Sequence, residues 1–217
     1  SEIYSISIDG SNLNTLTDRN GPDRGAVVSP DGKLIAYLGY NDKVQTYQIS
    51  KLSVMNIDGS SKREIEIGLD RSISSLRWSS DGKSLFFMYD DEGNTKVAVT
   101  TLNGNTKTLF GDVGGTTIGR PYGGGSYSVS KNNDIVYTMT SPYNPADLVI
   151  YSNGKNTRLS NLNYDLLKDK DLGVIEDIWY ESSVDGRKIQ GWIAKPPGFD
   201  SSNKYPLIVE NHGGPIS

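Results

Sequence analysis

Val28-Ser29-Pro30-Asp31-Gly32-Lys33-Leu34-Ile35 returns as Trp78-Ser79-Ser80-Asp81-Gly82-Lys83-Ser84-Leu85, and a degenerate third copy runs Val129-Ser130-Lys131-Asn132-Asn133. The turns stand 50 and 51 residues apart. Each copy has an apolar residue four before its last turn position (Val28, Trp78, Val129) and another three after it (Ile35, Leu85, Val136). Apolar residues in register across an Asp-Gly or Asn-Asn turn read as a β-hairpin, because such turns need the positive φ that Gly and Asn tolerate.

A second turn recurs out of phase with the first: Asp9-Gly10, Asp58-Gly59, Asn103-Gly104 and Asn153-Gly154, spaced by 49, 45 and 50 residues. Five or six residues beyond each lies an apolar position: Leu16, Ile65, Leu109 and Leu159. Tyr4, Ile6 and Ile8 alternate cleanly before the first copy, whereas Val97 to Leu102 is blurred, as in a strand buried on both faces. Each unit therefore holds about four short strands, and its period is that of a β-propeller blade, roughly 40–50 residues.

The expected fold class is mainly β: a partial β-propeller of about 3.5 blades of four-stranded antiparallel sheet over residues 1–160. Three fairly complete units follow the tail of an earlier one. Closed propellers have about 4–8 blades, so this part reads as half of a larger ring with open edge strands. If it is stable alone, self-association through those edges is expected. Composition agrees, with 13 Tyr and 24 Gly among 217 residues and no convincing amphipathic helix. The best helical candidate, Asn163 to Leu172, is short and uncapped.

Composition also excludes several functions. The chain has 22 Lys+Arg against 26 Asp+Glu, both signs interspersed, which gives no electrostatic footprint for nucleic acid. Its apolar runs fall far short of the roughly 20 residues of a membrane-spanning helix. Cys is absent, so disulfides, thiolate metal sites and a Cys nucleophile are ruled out. No metal or cofactor is expected. Asp90-Asp91-Glu92-Gly93-Asn94 lacks the spacing of a calcium loop and reads as a solvated hairpin tip. Gly111 to Gly119 lacks the Gly-Lys-Ser/Thr of a phosphate loop, and Ser80–Lys83 and Ser128–Lys131 are explained by turn chemistry. Trp78, Trp179 and Trp192 read as packing residues.

After Leu159 the repeat stops. Residues 161–175 form a polar linker, and 176–217 change character. Glu176 to Glu181, then Arg187 to Lys195, read as a hairpin turning at Asp185-Gly186 and stopped by Pro196-Pro197. Tyr205 to Glu210 reads as a compact apolar strand that leads into the Gly-rich loop Asn211-His212-Gly213-Gly214-Pro215.

Two resemblances follow from these residues. Ser29 to Tyr37 and Asn56-Ile57-Asp58-Gly59-Ser60 resemble the propeller repeats of the Tol-system periplasmic protein and of prolyl oligopeptidase relatives. Asp185 to Pro215 is similar to the entry of the α/β-hydrolase domain in the prolyl oligopeptidase family, in its acylaminoacyl-peptidase and dipeptidyl-aminopeptidase branch. That second resemblance implies that 176–217 are the truncated start of an α/β-hydrolase (peptidase) domain, and that the parent protein is a serine peptidase acting on short peptides. It implies an oxyanion hole at His212-Gly213-Gly214-Pro215, in which Gly214 offers a backbone donor, Gly213 and Pro215 shape the turn, and His212 holds the loop. Such a donor stabilises the charge that develops on an attacked carbonyl by about 2.7–4 kcal/mol.

No Gly-x-Ser-x-Gly elbow occurs in the chain, and its only His precedes the positions that the fold gives to the triad. A Ser-Asp-His triad would have to be encoded downstream, so residues 1–217 are expected to be inactive, with no catalytic residue of their own. Both termini read as cut, so a leader cannot be judged, and cytoplasm and periplasm fit equally. The rival readings are a non-catalytic propeller that binds a protein partner, and a hydrolase relative that has lost its nucleophile.

Overall fold

The computed structural model describes residues 1–115 and 124–211, apart from the side chain of residue 146. Three four-stranded antiparallel sheets follow one another as simple meanders. The first blade is β3 (Asp23–Val28), β4 (Leu34–Gly39), β5 (Lys51–Asn56) and β6 (Arg63–Ile65). The second is β7 (Ile73–Trp78), β8 (Ser84–Asp91), β9 (Asn94–Thr101) and β10 (Thr106–Phe110). The third is β11 (Tyr127–Val129), β12 (Ile135–Ser141), β13 (Asn144–Ser152) and β14 (Lys155–Arg158). A two-stranded ladder, β1 (Tyr4–Ser5) with β2 (Asn14–Thr15), precedes them. The half blade and three blades expected from the repeat are therefore present, as an open set of sheets.

Ser and Asp build the recurring first turn. Ser29 Oγ donates to Asp31 at 2.6 Å and accepts the Leu34 N–H at 2.9 Å. Ser79 repeats both bonds with Asp81 and Ser84 at 2.7 and 3.0 Å. In the third blade Ser130 Oγ accepts from Asn132 and Asp134, and Asn133 takes the left-handed place of Gly at φ 63°. That turn is one residue shorter. Val28 pairs with Ile35 and Trp78 with Leu85 as expected, but Val129 pairs with Ile135 and not Val136. The slip of one residue puts Ile135, fully buried, on the core face.

The cores lie between blades. Ala36, Leu52 and Val54 of the first blade meet Leu76, Leu85 and Phe87 of the second. Phe86, Val97 and Phe110 meet Tyr127, Tyr137 and Val149 of the third, with Phe110 stacked on Tyr137 at 4.2 Å. Val97, Ala98 and Thr100 are all completely buried, in keeping with the blurred alternation of β9. The first strands converge: Trp78 Nε1 donates to the Val27 carbonyl at 3.0 Å and the Tyr127 hydroxyl to the Ser75 carbonyl at 2.6 Å.

Several expectations fail where a neighbouring element is missing beside the strand. Only Tyr4–Ser5 is strand in the first alternating run, and Ile6 and Ile8 are exposed. Leu16 and Ile65 are buried under the next blade, but Leu159 is exposed because among the described residues no blade follows β14. The helical candidate shrinks to one turn, α1 (Tyr164–Leu167), without a side-chain cap.

The hairpin after the linker is as read. β15 (Val174–Glu181) pairs with β16 (Lys188–Lys195) without a bulge, from Val174–Lys195 to Glu181–Lys188. Gly186 at φ 71° makes the turn, and Pro196-Pro197 follows the last pair. Tyr205 to Glu210 is not a strand: among the described residues no strand lies beside it to complete a ladder, and Leu207, Ile208 and Val209 are exposed.

Candidate functional site

The hairpin β15–β16 sits on the ends of the second and third blades. In each blade the connection between its second and third strands emerges at the end opposite the Ser-Asp turns. For the second blade this is the two-residue turn Glu92-Gly93, both residues at positive φ. The Trp192 indole covers Gly93 so closely that an ideal Cβ there would lie 2.4 Å from Trp192 Cζ2. Gln190 Nε2 donates to the Glu92 carbonyl at 3.0 Å and to Asp177 across the hairpin at 3.1 Å. In the third blade the Tyr143 hydroxyl accepts the Ile175 N–H at 3.1 Å.

The tip Asp90 to Asn94 is the exposed hairpin turn expected, and the β15–β16 hairpin adds contacts to it at Glu92 and Gly93. Its Asp91 carboxylate is held by Arg71 and by Lys96. The Lys96 bond, then the Arg71 charge, keep Asp91 below the usual carboxylate range against some desolvation. Trp192 is a packing residue, seated on the blade while 55% of it stays exposed, whereas Trp179 is about half exposed and is not a core residue. Trp78 is the inter-strand residue expected.

Asp147, buried in β13, fixes how the chain leaves the last blade. It accepts from Ser160 Oγ at 2.7 Å and from the Leu162 N–H at 2.9 Å, and it pairs with Arg158. Burial opposes its charge, but those bonds prevail and hold the carboxyl below its ordinary range. Beyond β16, Phe199 stacks on Tyr205 at 4.9 Å and the Asp200 N–H donates to the Tyr205 hydroxyl at 3.0 Å. The run 206–211 then leads to His212, Gly213, Gly214 and Pro215, which lie outside the described residues.

Two of the cavities bear on buried or capped groups. One of about 390 Å³ lies at the Gly93 end of the second blade, lined by Ser74, Met88, Asp90 and Thr95. The other, about 280 Å³, lies beside the first blade against Arg19, Asp23 and Tyr37. Asp23 is buried, with Arg19 Nε at 3.1 Å and no hydrogen bond to either oxygen. Desolvation pushes its carboxyl up, and Arg19 only partly opposes this. Among the described residues there is no cluster of His, Cys, Asp or Glu able to hold a metal ion, and no helix long and apolar enough to cross a membrane.

The dipeptidyl-peptidase 5 of Trichophyton schoenleinii is 31% identical over 236 aligned residues, 99% of this chain and 31% of the relative. By sequence, the chain is related to dipeptidyl-peptidase 5 along nearly its whole length. It spans about a third of the length of such relatives, and the match runs through blades, linker and hairpin alike. The acylaminoacyl peptidase of Pyrococcus horikoshii has the same fold over 90% of this chain and 28% of its own, at 17% identity and a TM-score of 0.68. TolB from Acinetobacter baumannii matches 89% of this chain and 47% of its own, at 15% identity and a TM-score of 0.55. No family model matches.

The Asp-Gly turns and the Asp185–Pro215 run made this kinship legible in the sequence. The Asp147 anchor and the Trp192–Gly93 seat were missed there. Asp147 carries no local motif, and a glycine in a hairpin tip does not announce a partner about a hundred residues away.

Proposed function

We propose that the chain is the propeller-to-hydrolase junction of a serine peptidase that cleaves short peptides, in the manner of a dipeptidyl-peptidase or acylaminoacyl peptidase. In this reading residues 1–160 cap the catalytic unit and filter access to it, 161–175 link the two parts, and 176–217 begin the α/β-hydrolase domain. Gly214 would donate its backbone N–H to the oxyanion, Gly213 and Pro215 would shape the loop, and His212 would hold it. The Ser-Asp-His triad would come from the rest of the parent protein, which leaves residues 1–217 inactive alone.

The observation that carries this reading is that the match to dipeptidyl-peptidase 5 covers 99% of the chain, the junction included, together with a hairpin seated on two blade ends. A propeller that served only to bind a protein partner has no use for the Asp185–Pro215 run. The test is labelling of the full-length protein with a fluorophosphonate probe. One labelled serine in a Gly-x-Ser-x-Gly elbow is expected, and residues 1–217 alone should stay unlabelled. An unlabelled but folded full-length protein would reject the serine mechanism.

The open edges support a second property of residues 1–217 alone, self-association through β14 and the β1–β2 ladder. Light scattering should show a species larger than the monomer, and a well-folded monomer at high concentration would refute it.

A further inference from the structure

Of three Asn-Gly pairs, two occupy equivalent turns between third and fourth strands, Asn103-Gly104 in the second blade and Asn153-Gly154 in the third. In the other, Asn20-Gly21, the Gly21 N–H donates to the Arg19 carbonyl at 2.9 Å and an ideal Cβ on Gly21 would lie 2.0 Å from the Tyr40 carbonyl oxygen, so that pair is packed in place. An Asn followed by Gly can lose ammonia without an enzyme. The Gly nitrogen gives its proton to solvent base and attacks the Asn Cγ, the bond from Cγ to Nδ2 breaks, and ammonia leaves a five-membered succinimide. Water then opens either carbonyl of the ring, giving aspartate or isoaspartate. Water is the only co-reactant. Glycine favours the attack because no side chain obstructs it, and in a folded chain the rate follows how freely the turn opens.

The two turns differ in that respect. Gly104 is wedged between blades: its N–H donates to the Thr101 carbonyl at 3.0 Å, and an ideal Cβ on it would lie 2.2 Å from the Glu66 carbonyl oxygen of the preceding blade. Arg63 of that blade also donates to the neighbouring Leu102 carbonyl at 2.9 Å. Opening this turn means parting two blades.

Asn153-Gly154 is a two-residue turn beyond the last ladder pair, Ser152 with Lys155. Both residues are exposed, and nothing lies within 4 Å of the position a Gly154 Cβ would take. Asn153 lies in the left-handed region at φ 51°, which Asn tolerates in a tight hairpin turn. The strand it leads into, β14, is an edge strand with all four residues exposed. Other left-handed Asn residues are followed by larger side chains, Leu13 after Asn12 and Asp134 after Asn133.

We infer that Asn153 is a site of spontaneous deamidation and that Asn103 is protected by its blade interface. Each event adds one negative charge to a chain of net charge −4. In the isoaspartyl form it also inserts a methylene into the backbone of a two-residue turn. That loosens β14, whose Arg158 pairs with Asp147. This chemistry is independent of any peptidase activity.

The test is to age the folded protein at mildly alkaline pH and follow both turns by peptide mapping, with isoaspartyl methyltransferase as a second readout. The 153–154 peptide should convert several-fold faster than the 103–104 peptide. In urea the two rates should converge, because structure no longer separates them. Asn153→Gln should lower early methyl acceptance more than Asn103→Gln does. Equal rates in the folded protein, faster conversion at Asn103, or a difference that persists in urea would overturn the inference.

Discussion

The Trp192 indole occupies the space in which a side chain on Gly93 would stand, with an ideal Cβ at 93 only 2.4 Å from Trp192 Cζ2. Gly93 is also left-handed, at φ 74°. Gly93→Ala therefore carries two penalties, backbone strain of about 1–3 kcal/mol and displacement of the indole. In a Trp192→Ala background only the first remains. Urea denaturation of the four proteins of that cycle should show a smaller cost for Gly93→Ala once the indole is gone. An identical cost in both backgrounds would mean that the contact contributes nothing.

Ser75 sits at a register shift in β7 with φ 56°, and its carbonyl accepts the buried Tyr127 hydroxyl at 2.6 Å. Tyr127→Phe leaves that carbonyl unpartnered between blades, at an expected cost of about 1–3 kcal/mol. Ser75→Gly relieves the left-handed strain and should be tolerated far better than Ser75→Val, in which a branched Cβ meets the same φ. Chemical denaturation orders the three variants.

Asp23 and Asp147 should respond oppositely to pH. Asp147 is held below its ordinary value of 3.8. Its stabilisation is thus present above the unfolded value and disappears as pH falls through the lower folded one. Asp147→Asn should cost about 2 kcal/mol near neutral pH, as for a hydrogen bond to a charged group, and little in strong acid. Asp23 is raised above 3.8 by desolvation. Its most favourable contribution lies below the unfolded value and is lost as pH rises through the folded one. Asp23→Asn should therefore stabilise the protein near neutral pH. Melting temperatures of both variants from acid to neutral pH check the two signs.

Where the sequence was informative, local chemistry explains it. Ser29-x-Asp31-Gly32 satisfies its own backbone, so the turn is written in the residues that make it. The register at Val129 was misread because Ser130 to Asp134 closes with one residue fewer, which only the pairing reveals. Ile8, Leu159 and Leu207 are apolar by sequence yet exposed, because burial depends on what lies beside a strand as well as on its own residues. The Ser75 bulge depends on a left-handed serine and on Tyr127 in the next blade, and the Asp147 anchor on Arg158, Ser160 and Leu162 across the blade's last turn, none of which periodicity reports. His212 to Pro215 was legible only as a resemblance.

The most direct measurement is hydrolysis of short peptides by the full-length protein, compared with residues 1–217 alone and with a full-length variant whose elbow serine is replaced by Ala. The full-length protein should release short N-terminal fragments, and the other two should be folded and silent. Activity that survives the serine substitution, or that appears in residues 1–217 by themselves, would contradict the reading of this chain as the junction of a serine peptidase.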